Sequence, residues 1–104
     1  MDKLAALNEI LKLDPANAFA RYGLAMEHIA RGNPEAALAE FSVCIEHNPD
    51  YVPAYQMSAQ TLAKLGRTDE ALARLEAGIA AATCTGNHHA LAEMESLRDE
   101  LTNG

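Results

Sequence analysis

The residues whose types could do chemistry are concentrated near the end of the chain, where Cys84 lies four residues before the pair His88-His89. Thiolate and imidazole are the ligands that zinc prefers, but a zinc site needs four convergent donors or three donors and a water. Adjacent histidines on a helix point about 100° apart and do not readily share one ion. We therefore expect a solvated helix start here, with no metal and no cofactor.

The other candidate groups are isolated. His28 and His47 have no partner at a diagnostic spacing, and no serine is matched with a histidine and an acid in the order that a hydrolase uses. The acidic run Glu93-x-Glu95 with Asp99-Glu100 reads as a solvated helix face. The sequence predicts a protein that is not an enzyme.

Composition excludes further classes of function. Eight basic and fifteen acidic residues give a net charge of −7, which disfavours nucleic acid and anionic membranes as partners. The first residues do not resemble a secretory signal and no apolar run is long enough to span a membrane, so we expect a cytoplasmic protein. In such a reducing compartment Cys44 and Cys84 are expected to be free thiols.

The elements that position these residues repeat at a spacing of 34 residues. Ala20, Gly32 and Pro15 recur as Ala54, Gly66 and Pro49. A period of this length is typical of helix pairs stacked into a solenoid, in which each unit buries its apolar face against its neighbours.

Apolar periodicity and punctuation predict six helices. Their expected spans are 2–13, 18–31, 34–47, 51–65, 68 to about 85, and 87–101. Asn17, Asn33 and Thr68 are expected as N-caps, Gly32 as the residue that ends the second helix, and Asn87 as the cap of the sixth. The fifth helix should run past the end of its repeat, because Thr83 stands where a proline is expected and alanines precede it.

The repeated residues resemble the tetratricopeptide repeat family. Those that match its pattern are Leu24, Ala25, Gly32, Ala37, Phe41, Cys44 and Pro49 in one unit, and Tyr55, Ala59, Leu62, Gly66, Ala71, Leu75 and Gly78 in the next. The resemblance implies an all-α, right-handed helical-repeat solenoid of antiparallel helix pairs, without strands. It divides a single domain, 1–104, into a half repeat (1–15), two repeats (18–50 and 52–83) and a capping helix (87–101).

By the geometry of that family, the first helix of each pair lines a concave groove. The resemblance therefore implies that the protein is a non-catalytic interaction scaffold, whose groove holds a peptide or a partner helix. The residues expected in the groove are Phe19, Tyr22, Met26, Gln56, Met57, Gln60, Lys64, Met94 and Arg98.

Two alternatives stay open at this point. Phe19, Ile29, Met57, Leu91 and Leu97 are interpreted as mostly packed against adjoining helices, whereas Tyr22, Met26, Gln56 and Gln60 are interpreted as accessible. The second alternative concerns function: it is self-association through apolar end helices, using Leu4, Leu7 and Leu11 or Leu97 and Leu101, although polar residues opposite these leucines favour a monomer.

One branch of the family clamps acidic C-terminal tails with inward Lys, Arg and Asn residues. Tyr22 and Met26 occupy positions where that clamp requires Lys and Asn, and only Lys64 and Arg98 could meet a carboxylate. We therefore do not expect a receptor for acidic tails.

Overall fold

A computed structural model describes residues 2–103, and within this part of the chain it contains six helices and no strand. The helices are α1 (Lys3–Leu13), α2 (Ala18–Ala30), α3 (Pro34–His47), α4 (Val52–Lys64), α5 (Thr68–Thr85) and α6 (His88–Asn103). This confirms the all-α helical-repeat architecture and the number of helices. The chain forms two compact units, Met1–Pro49 and Asp50–Gly104, called unit 1 and unit 2 below.

Short polar caps start most of the helices. The side-chain oxygens of Asn17, Asn33 and Asn87 each accept a hydrogen bond from the backbone N–H three residues on, at 2.8, 3.4 and 3.1 Å. These bonds satisfy N–H groups that have no partner inside the helix. All three asparagine caps predicted from the sequence are therefore present.

The predicted Thr68 cap is wrong. Thr68 is the first residue of α5, and the N-cap position is held by Arg67, which makes no side-chain cap bond. Arg67 instead donates from two nitrogens to the Glu70 carboxylate in the first turn. This hydrogen-bonded ion pair lowers the pKa of the exposed Glu70 carboxyl.

Gly32, Gly66 and Gly86 end three of the helices. Their φ angles are 75°, 76° and 72°, in the left-handed region that glycine enters without steric cost. The last residue of α5 is Thr85 and its C-cap is Gly86, which confirms that this helix runs past the end of its repeat.

Unit 1 is built around α2, which packs against both α1 and α3. Leu11, Ala20 and Leu24 form a buried cluster to which Leu4 and Leu7 of α1 add partly buried side chains. Ala25 of α2 and Ala37 of α3 are fully buried, as expected of small residues where two helices approach closely.

Unit 2 follows the same plan, with α5 packed against α4 and α6 and with α4 also touching α6. Ala59 and Ala71 are again fully buried, in a core with Tyr55, Leu75 and Met94. At Gly78 a side chain would have no room, because an added Cβ would lie 2.7 Å from Met94 Sδ and from Tyr55 Cβ. The glycine therefore allows the close packing of this unit.

Candidate functional site

The α2 surface of unit 1 consists of Phe19, Tyr22 and Met26, which share one helix face because they are three and four residues apart. The Phe19 ring is 78% exposed, while Tyr22 and Met26 are half-buried. The interpretation of Phe19 as a packed residue is wrong. Ile29, the next residue on this face, is half-buried.

Tyr22 packs against an aromatic residue of the core of unit 1. Its ring centroid is 5.9 Å from that of Phe41, with the ring planes inclined at 54°. Phe41 on α3 is fully buried, so the tilted aromatic pair fixes Tyr22 to the core of unit 1. The α2 surface is therefore supported by core packing from the α3 side.

A cleft of about 500 Å³ lies between α1 and α2 and includes Met26. Ala6, Leu7 and Gly23 give it an apolar lining, and Lys3 and Glu27 place one charge of each sign on it. Met side chains adapt to irregular apolar shapes. This part of unit 1 can accommodate an apolar side chain of a partner.

Unit 2 carries a second cleft, of about 470 Å³, which we call the α4–α6 cleft. Its lining consists of Gln60 from α4 and of His89, Ala92, Glu93, Ser96, Leu97 and Glu100 from α6. The predicted site residue Gln60 is thus one of the residues that line this cleft. Five of its seven lining residues are polar or charged, and the other two, Ala92 and Leu97, are apolar.

Gln56 is held beside this cleft. Its side-chain nitrogen donates to Glu93 Oε1 at 3.0 Å, and His89 Nε2 lies 3.2 Å from the same oxygen. The bond joins α4 to α6. Gln56 and Gln60, both interpreted as accessible, therefore differ: Gln60 lines the cleft and Gln56 stabilises its side.

Met94 and Arg98 require a correction. The Met94 side chain is only 1% exposed and lies against Gly78 of α5, so it belongs to the core of unit 2. Arg98, on the same face of α6, lies 3.5 Å from Glu76 of α5. Because α6 turns this face toward α5, neither residue lines the α4–α6 cleft.

The remaining predicted residues lie on α4. Lys64 is exposed in the last turn of the helix, and Met57 is half-buried. Leu91 and Leu97 of α6 are half-buried as well. Each of these apolar side chains therefore packs against its neighbours and also keeps part of its surface exposed.

The cleft also contains residues whose position the sequence interpretation missed. Glu93 and Glu100 belong to the acidic run assigned to a solvated face, yet both line the α4–α6 cleft. Their spacing from His89 is four and eleven residues, which places all three on one helix face. That helical spacing is the signal that could have found them.

The groups considered for metal chemistry are at the surface. Cys84, His88 and His89 are all exposed, and within residues 2–103 no three His, Cys, Asp or Glu side chains are grouped so that they could hold a metal ion. Cys44 is buried, and both cysteines are free. In the same part of the chain, no helix has the length and apolar character needed to cross a membrane.

Comparison with known proteins gives consistent matches. The sequence model of the family described as Tetratricopeptide repeat matches residues 28–94. The solution structure of a tetratricopeptide repeat domain protein from Salinibacter ruber has 35% sequence identity and a TM-score of 0.79, covering 85% of this chain and 89% of that chain. No match was found among curated proteins.

Two structures of complexes share the fold at lower identity. The TPR2B domain of yeast Sti1, solved in a complex with pHsp70, has a TM-score of 0.88 at 22% identity and covers 96% of this chain and 80% of that chain. PcrH, solved with the chaperone binding region of PopD, has a TM-score of 0.88 at 19% identity, covering 96% and 76%. These two likenesses concern the fold alone.

Proposed function

Since the chain belongs to the tetratricopeptide repeat family, we propose that it is a non-catalytic module that binds a peptide or a partner helix on the inward faces of its repeats. Members of this family are generally interaction modules. The residues proposed to contact the partner are Phe19, Tyr22 and Met26 in unit 1, and Met57, Gln60 and Lys64 in unit 2. Gln56 supports this surface through its bond to Glu93.

The exposed ring of Phe19 is the observation that carries the proposal. A large aromatic side chain that is 78% exposed leaves much of its apolar area in water. Covering a side chain of this size contributes roughly 1.5–3 kcal/mol. Tyr22 and Met26 extend the same face, and both residue types are enriched at protein interfaces.

The class of partner follows from the charges. A net charge of −7 opposes nucleic acid and acidic membranes, and Glu93 and Glu100 at the α4–α6 cleft oppose an acidic tail. We accordingly propose a protein partner, and a scaffold role in the cytoplasm. The two free cysteines are consistent with a reducing compartment.

The test compares two exposed apolar residues. Partners captured from an extract of the native cell are identified by mass spectrometry, and the affinity of each is then measured for the wild type, Phe19→Ala and Leu13→Ala. Leu13 of α1 is 91% exposed and lies outside the proposed surface, so it serves as the matched control. We expect Phe19→Ala to weaken binding about tenfold or more, because aromatic residues buried in an interface contribute much of its binding free energy. Leu13→Ala should have little effect.

The proposal fails if Phe19→Ala binds every captured partner as tightly as the wild type does. Circular dichroism of each variant shows whether it is folded. Because Phe19 is exposed, its replacement should not change the fold.

A further inference from the structure

The α4–α6 cleft is lined by acidic residues without basic residues to balance them. Glu93 and Glu100 line it, and no lysine or arginine is among its lining residues. In the described part of the chain, Glu93 is paired only with the Gln56 amide and with His89, and Glu100 has no ion pair. Two arginines of unit 2 are paired with acids outside this cleft: Arg67 pairs with Glu70, and Arg98 pairs with Glu76. The cleft therefore has a negative charge that favours a cationic partner.

The apolar part of the cleft lies between the two acids. Leu97 is four residues after Glu93 and three before Glu100, so the three side chains form one stripe along α6. Leu97 is half-buried and has apolar area left for a partner. The stripe thus reads acidic, apolar, acidic.

The length of the stripe distinguishes between partner conformations. Seven residues of helix separate Glu93 and Glu100, which corresponds to about 10.5 Å at a rise of 1.5 Å per residue. A second helix repeats this distance between positions seven apart, which also share a face. An extended strand does not, because side chains on one face recur about every 6.8 Å.

From this we infer that the α4–α6 cleft binds an amphipathic helix in which two basic side chains, seven positions apart, flank an apolar side chain. The basic groups meet Glu93 and Glu100, and the apolar side chain covers Leu97. Gln60 and Ser96 are available for polar contacts at the edge. The inference rests on the proposed function and specifies the chemistry of the partner.

Three alanine-based synthetic peptides serve as probes. The first has a leucine between two lysines seven positions apart, the second has both lysines replaced by glutamate, and the third has the lysines but a central proline that breaks the helix. Binding is measured by titration calorimetry and by amide chemical shifts of the protein. We expect the first probe to bind and to shift amides of α4 and α6, and the other two to bind at least tenfold more weakly.

Variants of the protein test the same contacts. Glu93→Gln and Glu100→Gln each remove one charge, and we expect each to weaken the first probe about threefold and the double variant about tenfold. Glu95→Gln is the matched control: its side chain is 48% exposed against 52% for Glu93, but it lies beside Arg98. Glu95→Gln should change the affinity less than twofold. Higher salt should weaken binding of the first probe.

Equal binding of the lysine and glutamate probes overturns the inference, as does an unchanged affinity of the double variant. Equal binding of the proline probe overturns the helical occupant. Each of these results leaves the proposed function intact if Phe19→Ala still releases the captured partners. The opposite result is also informative. If the lysine probe binds but Phe19→Ala does not change the affinity for any captured partner, the inference about the α4–α6 cleft is supported and the proposed function at the α2 surface is contradicted.

Discussion

Gly78 lies in the core of unit 2, where the packing leaves no room for a side chain. An added methyl group would lie 2.7 Å from both Met94 Sδ and Tyr55 Cβ, closer than carbon and sulfur approach without displacement. We expect Gly78→Ala to lower the free energy of unfolding by about 1–3 kcal/mol, the usual cost of overpacking. Urea denaturation followed by circular dichroism measures the change.

Gly23→Ala is the matched control, because it makes the same change inside α2. Its added methyl group would lie 3.3 Å from the end of the Leu7 side chain, which is only half-buried. Alanine in a helix interior contributes up to about 1 kcal/mol over glycine. We expect a much smaller effect than at Gly78, and equal losses at both sites would contradict the packing described for unit 2.

The two cysteines differ in their exposure to solvent. Cys44 is buried and its Sγ is 3.6 Å from the Ala18 carbonyl oxygen, whereas Cys84 is exposed. Burial raises the pKa of the Cys44 thiol, although the positive charge of Arg21 opposes this, so less of the reactive thiolate is present at any given pH. We expect a maleimide to label Cys84 quickly and Cys44 only after denaturation, as read by peptide mass spectrometry. Equal labelling rates in the folded protein would contradict this.

At the scale of the elements, the helix N-termini show that a suitable residue type is not enough to form a side-chain cap. Asn17 accepts a hydrogen bond from the Ala20 N–H at 2.8 Å, whereas Thr68 makes no cap bond at the start of α5. Thr68 has the right residue type, but it lies one position inside the helix.

We therefore expect Asn17→Ala to destabilise the protein by about 0.5–2 kcal/mol and Thr68→Ala to have an effect close to zero. Thermal denaturation of both variants under the same conditions measures this difference. A larger loss for Thr68→Ala than for Asn17→Ala would mean that the threonine, and not the asparagine, caps its helix.

The helix α5 shows how a local departure from a repeat pattern changes an element. Thr83 replaces the proline that closes the preceding repeat, and its hydroxyl donates to the Ile79 carbonyl within the helix at 2.8 Å. Because there is no proline here, the helix continues past Thr83 to Thr85 and has a total length of 18 residues. It ends where Gly86 adopts a left-handed conformation. The position of α6 in the chain is set by this glycine and by the Asn87 cap that follows it.

At the scale of the whole molecule, the protein is a helical-repeat interaction module of net charge −7. Self-association was the alternative role for its end helices. Leu11 is buried and Leu4 and Leu7 pack against it, so these leucines are used inside unit 1, while Ile10 and Leu13 of α1 stay exposed. Repulsion between copies with seven negative charges favours separate molecules.

We expect a monomer at concentrations up to about 1 mM, measured by light scattering at low salt. A mass of two copies would contradict this and would favour self-association through the end helices. Leu13→Lys is then the informative variant, because it places a charge on the exposed α1 residue without touching the core. Recovery of the monomer in that variant would assign the contact to α1.

Much of the fold followed from short-range signals in the sequence. Apolar periodicity, asparagine caps and glycines at helix ends act within one or two turns, so they predicted all six helices to within two residues at each end. The site was less predictable. Gln60 was expected at a concave surface and lines a cleft, but Met94 and Arg98 were expected there and instead face α5.

The sequence by itself determined the helices, their ends and the repeat, because each depends on neighbours in the chain. Only the tertiary structure decided which face of α6 meets α5 and which meets α4. That choice depends on the packing of Met94 under Gly78, a contact between residues sixteen positions apart that no local pattern encodes. The same orientation of α6 buries Met94 and places Glu93 and Glu100 at the α4–α6 cleft, although the sequence assigns their acidic run to a solvated face.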